Sequence, residues 1–205
     1  MTIRFHKNDL PDLGHYDVDA IAIDTETLGL NPHRDRLCVV QISPGDGTAD
    51  VIQIAQGQKT APNLVKLLAD ANITKLFHFG RFDLAVLYHT FGVMPEPVFC
   101  TKIASRLTRT YTDRHGLKDI CSELLGVGLS KAQQSSDWAA ETLSPEQLEY
   151  AASDVLYLHR LRDVLVARLA RENRTSEADA CFRFLPTRAK LDLMGWNETD
   201  IFAHS

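Results

Sequence analysis

Residues 36–43, RLCVVQIS, carry apolar side chains at successive positions instead of alternate ones. A strand with one face in water alternates apolar and polar residues. A run without alternation therefore needs cover on both faces and a central place in a sheet. That requirement points to an α/β architecture, and the flanking sequence supplies the other layers. Residues 19–24 form a preceding strand, and TADVIQI (48–54) a following one, joined through the turn sequence Pro44-Gly45-Asp46-Gly47. A helix is expected over about 61–70, a fourth strand at TKLFHF (74–79), a helix at 81–90 and a short strand near 97–99.

After residue 100 the pattern becomes helical, over about 101–109 and 116–125, with a long helix from 145. Its start is written in Ser144-Pro145-Glu146-Gln147. Serine suits the cap, proline the first helical position, and glutamine three residues after the serine completes a capping box. Neither internal repeats nor low-complexity segments interrupt the chain.

The acids sit at the ends of these elements. In IAIDTETLGL (21–30), Asp24 and Glu26 are two residues apart on a strand, so they share a face and repel. Something positive should lie between them. In HFGRFD (78–83), His78 closes a strand, Gly80 allows a close turn and Asp83 enters the first turn of a helix, where the helix dipole favours an acid. In YAASD (150–154), Tyr150 and Asp154 lie roughly 40° apart on one helix face. Leu148, Ala152 and Val155 make the opposite, apolar stripe. Each motif alone also suits a solvated acid. Together they offer four carboxylates, which can converge only around cations. Two divalent ions about 3.5–4 Å apart would turn them into the oxygen ligands that hard metals need. No His/Cys cluster competes for a softer metal, so Mg2+ or Mn2+ is the expected choice.

Composition bounds the reading without naming a function. With 205 residues, 44% hydrophobic and 24% charged, the chain can bury one sizeable core. A net charge of −5 argues against a long basic groove gripping many phosphates. The four cysteines are scattered without a C-x-x-C pair, as reduced thiols are. MTIRFHKNDL at the N-terminus has no hydrophobic signal core, and no apolar run approaches the ~20 residues that span a bilayer. A cytoplasmic protein without membrane attachment is the expectation. Residues 182–205 hold Phe182, Phe184, Leu185, Leu191, Leu193, Met194, Trp196, Ile201 and Phe202, too few residues to form a core of their own. This segment should dock on its own domain or on a neighbouring subunit.

DTETLGL (24–30), HFGRFD (78–83) and YAASD (150–154) occur in that order, with Asp137-Trp138 and a Pro-x-Q-x-x-Y run within residues 135–161. In these motifs the chain resembles the tyrosine-containing DEDD-type 3′→5′ exonucleases, the group that includes ribonuclease D. The likeness covers about residues 15–170, and with the tail the chain looks like the single-domain bacterial oligoribonucleases. One departure is Cys100, where ribonuclease D often has an aspartate that is not a metal ligand.

The resemblance implies a ribonuclease H-like exonuclease fold, a central mixed five-to-six-stranded sheet flanked by helices. It implies an exonuclease domain over residues 1–185 with a C-terminal tail at 186–205. Asp24, Glu26, Asp83 and Asp154 would hold two divalent cations, and Tyr150 would orient the attacking water. Thr25 and Thr27 would hold the terminal nucleotide through backbone and hydroxyl groups. Leu28 would wedge between the last two bases, or pack under its turn. His78 would contact the scissile phosphate or complete a strand-end network. In RTYTDRHGL (109–117), Arg109, Arg114 and His115 either supply a cap for a 5′ phosphate or belong to a solvated loop. The implied activity is hydrolysis of very short single-stranded RNA, down to dinucleotides, to mononucleotides. Trimming of longer RNA or DNA 3′ ends, as by ribonuclease D, is the alternative within the class. An inactive nucleic-acid-binding scaffold is the alternative outside it, and the presence of all four acids and the tyrosine speaks against it. The tail, with the resemblance, implies a homo-oligomer, an octameric ring.

Overall fold

The computed structural model describes residues 2–130 and 132–204. Its β3 strand, Leu37–Ser43, is buried at every position, as its near-continuous apolar run requires. Two cores share that strand. Val40 and Ile42 join the main core, while Val39, with Val51 of β4 (Thr48–Gln53), belongs to a second core with Trp138, Leu143 and Ala151. β3 pairs antiparallel with β4 on one side and with β2 (Ala20–Thr27) on the other. β5 (Thr74–Phe77) adds parallel to β2, and β6 (Val98–Cys100) parallel to β5.

The sixth strand, β1 (Thr2–Lys7), pairs parallel with β4 at the sheet edge. Its sequence is too polar to announce a strand. It is pinned by side chains: Arg4 forks onto the buried Asp50 at 2.8 and 2.7 Å, and His6 reaches the same carboxylate at 2.7 Å. The finished sheet runs β1-β4-β3-β2-β5-β6 and is mixed. With helices packed against it, this is the ribonuclease H-like α/β exonuclease fold.

The helices are α1 (Pro62–Ala69), α2 (Arg81–Phe91), α3 (Thr101–Thr108), α4 (Leu117–Leu125), α5 (Pro145–Leu156), α6 (Leu158–Arg171) and α7 (Thr175–Leu191). The single long helix expected from residue 145 is divided at Tyr157, with φ −105° and ψ −6°. No Gly or Pro marks the break; packing makes it. α5 lies on β2, β3 and β4, whereas α6 packs mainly on α3 and α4 and reaches the sheet at β2 and β5. The capping box of α5 is complete, Ser144 accepting from the Gln147 amide and Gln147 from the Ser144 amide. Gln147 also donates to the Asp137 carbonyl at 3.0 Å, fixing the segment that carries Trp138.

α7 runs on through Pro186, and a short π-helical turn, Asp192–Trp196, follows it. That turn rests on its own domain. Arg81, the first residue of α2, binds Asp192 and the Asn197 carbonyl, and His33 meets the Leu193 carbonyl at 2.9 Å. Met194, Trp196, Ile201 and Phe202 remain exposed. Among the described residues no helix is long and apolar enough to cross a membrane.

Candidate active site

β2 runs three residues beyond the expected strand end, so Asp24 and Glu26 both lie within it. Asp24 stands opposite Gln41 of β3 and Glu26 opposite Val39, which places both acids on the side covered by α5. The ladder then slips at Glu26–Thr27, a bulge that ends regular pairing beside the acids. From above, α5 presents Tyr150 and Asp154, as their spacing requires. One oxygen each from Asp24, Glu26 and Asp154 lie within 4.8 Å of one another. The Tyr150 ring is backed by the buried Trp138, their centroids 6.0 Å apart.

Asp83 arrives from the first turn of α2, 3% exposed, and accepts a 2.6 Å hydrogen bond from the Thr25 hydroxyl. It lies beside the three-acid cluster, near enough for its charge to act on Asp24 and Glu26. Burial, reinforced by Asp83, Asp154 and Glu26, holds the Asp24 carboxyl well above the usual range. Burial, with Asp154 and Asp83, pushes Glu26 up to about 9. Burial raises Asp83 to about 7 against the Thr25 bond, and Asp154 to about 7 against the nearby Tyr150 hydroxyl. Burial and the surrounding carboxylates raise Tyr150 too, so at neutral pH its hydroxyl keeps its proton.

Among the described residues no Lys or Arg forms an ion pair with any of these four acids. Crowded carboxylates, oxygen-only ligands and the lack of a protein counter-charge fit hard divalent cations, and four acids suffice for two of them.

Asp24, Glu26 and Asp154 open into a cleft of about 310 Å³, also lined by His78, Phe79, Lys102, Lys118 and Gln134. A larger hollow of about 520 Å³ begins at Leu28 but contains none of the acids, so chemistry assigns the site to the smaller one. His78 bonds through Nδ1 to the Thr101 hydroxyl at 2.9 Å, which in turn donates to the Phe77 carbonyl. The strand-end network is thus present, and the ring still borders the cleft. Burial and Lys102 push its pKa to about 3, leaving it neutral. Leu28 is 53% exposed, not packed under its turn.

Other expected substrate groups are placed differently. The Thr25 hydroxyl is committed to Asp83 and that of Thr27 to the Gly29 carbonyl, so their contact with a nucleotide is left to backbone groups. Arg109 is corrected: its side chain is 1% exposed and bound to Glu123, Ser105 and the Arg114 carbonyl. It folds the 109–117 loop rather than presenting a free cation. His115 spends Nδ1 on Ser105 at 2.9 Å, and only Arg114 of the three is exposed. Sequence reasoning missed Gln41, Phe79, Lys102 and Lys118 as neighbours of the acids. In one dimension the lysines look like ordinary surface residues, and Gln41 like part of an apolar run.

Residues 12–170 match the family described as 3′-5′ exonuclease. A ribonuclease D from Gluconacetobacter diazotrophicus is 36% identical over 154 residues, covering 75% of this chain and 39% of the relative. The chain therefore spans about two fifths of the length of the curated relatives it matches. Among solved structures, Brucella melitensis NrnC with bound Mg2+ is 78% identical with a TM-score of 0.97, covering 100% of both chains. The same protein bound to pGG is 80% identical with a TM-score of 0.98, again over 100% of both.

The carboxylate pKa values set a pH dependence. A folded-state pKa raised above its unfolded value stabilises the fold below the unfolded pKa, about 4, and that contribution is lost as pH rises through the folded pKa. Protein freed of metal with EDTA should therefore lose melting temperature between about pH 5 and pH 9. Mg2+ should restore it, with a gain that grows with pH because binding displaces protons. A metal-free melting temperature that rises steadily over that interval would contradict the cluster's electrostatics.

Proposed function

Because the chain belongs to the 3′-5′ exonuclease family, we propose that it hydrolyses very short RNA, down to dinucleotides, from the 3′ end to mononucleotides. The observation that carries this reading is the convergence of Asp24, Glu26 and Asp154 from β2 and α5 beside the Tyr150 hydroxyl. Two features favour a small substrate. The cleft is about 310 Å³, and among the described residues Lys102 and Lys118 are the Lys or Arg side chains that line it, few for gripping many phosphates. A relative of full-length similarity is bound to pGG.

Asp24, Glu26 and Asp154 would hold one divalent cation, with Asp24 shared to a second that Asp83 supports directly or through water. Bound cations would supply Lewis-acid activation of water and neutralise charge on the leaving 3′ oxygen. Tyr150, protonated at neutral pH, is a poor base. Its hydroxyl positions the attacking water by hydrogen bonding instead of removing its proton. Leu28 is exposed at the end of β2, where it can separate the last two bases. Arg114 is the free cation of its loop and the candidate to meet a 5′ phosphate. Buried free thiols at Cys38, Cys100 and Cys121 suit the reducing cytoplasm. Residues 186–205 are proposed to meet a neighbouring subunit in an eight-membered ring, burying Met194, Trp196 and Phe202.

With Mg2+, a 5′-phosphorylated two-nucleotide RNA should be cleaved about tenfold faster than a seven-nucleotide one, and EDTA should stop both. Faster cleavage of the longer RNA, or of DNA 3′ ends, would favour a trimming enzyme. No mononucleotide release in Mg2+ would favour a binding scaffold. Tyr150→Phe should lower kcat about a hundredfold while dinucleotide and Mg2+ binding persist. Near-normal turnover would remove the tyrosine from the mechanism. Light scattering of the full-length protein should give about eight times 22.9 kDa, and a monomer mass would refute the ring.

A further inference from the structure

Phe79 leaves β5 between His78 and Gly80 with φ +67°. A bulky aromatic residue in left-handed backbone is strained, and such strain persists where the surroundings enforce it, above all at functional sites. Here the surroundings do enforce it. A Cβ on Gly80 would meet Phe77 at 2.7 Å, so the turn is packed tightly onto the strand and the ring of residue 79 is thrown outward. That ring is 46% exposed, at the wall of the cleft that holds the carboxylates. Strain and exposure both work against a role in stabilising the fold.

Lys102 stands over the ring, its Nζ 4.3 Å from the centroid, and borders the same cleft. It forms no ion pair among the described residues. A cation parked on an aromatic face beside an acidic cleft is poised to exchange partners. We infer that Phe79 and Lys102 form a stacking subsite, in which the ring takes the flat face of one RNA base and the ammonium moves to the accompanying phosphate. This deepens the exonuclease reading and rests on it.

The exchange runs in the favourable direction. An ammonium on a half-exposed ring is weakly held, a base stacks on the same face more strongly, and a phosphate gives the ammonium a charge-assisted hydrogen bond. Every base has a π-face, so the subsite grips without choosing a sequence. Leu28, exposed just past the end of β2, offers a second apolar side chain, so the two bases of a dinucleotide would each find an apolar surface. Affinity then comes from stacking, which suits a chain with a net charge of −5.

The test uses the full-length protein with Mg2+ and a 5′-phosphorylated dinucleotide. Phe79→Asn keeps a residue that tolerates left-handed backbone and removes the ring. KM should rise about tenfold with kcat within about twofold, while the melting temperature does not fall. Phe79→Trp should hold KM at or below the wild-type value. Lys102→Gln should flatten the salt dependence of KM by about one phosphate contact. An unchanged KM in Phe79→Asn overturns the subsite. So does a joint loss of melting temperature and kcat, or a changed mass by light scattering, since these mark a packing or subunit-contact role. An unchanged salt slope in Lys102→Gln overturns the exchange. A wild-type protein that releases no mononucleotide fails the exonuclease reading itself, a result distinct from all of these.

Discussion

Mutual repulsion among partly buried carboxylates is the constraint around which this protein is built. Asp24, Glu26, Asp83 and Asp154 are each held above the ordinary carboxylate range by burial, and the charges of Asp24, Glu26 and Asp83 are further opposed by their neighbours. Nothing in such a cluster favours its own formation. The remaining contacts of β2, α2 and α5 must impose it. A fold that does so stores a demand for positive charge, and divalent cations answer that demand more completely than a lysine, because each ion accepts several oxygens at once.

The scaffold meets the constraint through elements that are stable for other reasons. β3 is buried on both faces and fixes β2 beside it. The slip at Glu26–Thr27 ends the ladder where the substrate must approach. α5 is held at its start by a capping box and along its length by the second core, so Asp154 descends from a rigid helix. Thr25 points away from Asp24 and Glu26 and restrains Asp83 through its hydroxyl. One strand thereby serves two parts of the site, with alternate residues facing opposite ways.

Among the described residues, several arginines serve the scaffold and not the cleft. Arg109 binds inside its own loop, Arg81 secures the C-terminal turn, and Arg4 pins the edge strand. Lys102 and Lys118 are left at the cleft. A polyanion binder would line a long groove with cations. This protein instead surrounds a metal-ready cluster with a few lysines and exposed apolar side chains, an arrangement for a substrate with few phosphates.

Much of the fold and the centre of the site were legible in one dimension. Short apolar runs bounded by turn residues and period-3.6 patterns placed five strands and the helices through α4, and the i, i+2 and i, i+4 spacings put Asp24 with Glu26 and Tyr150 with Asp154. Local chemistry sufficed there, because backbone geometry alone fixes which side chains share a face. Strand β1 was not legible, since a polar edge strand is held by side chains from distant residues. The division at Tyr157, the burial of Arg109 and the exposed, strained ring of Phe79 were likewise decided by tertiary structure. Helix direction, charge compensation and exposure depend on what packs opposite, and that is settled only when distant segments meet.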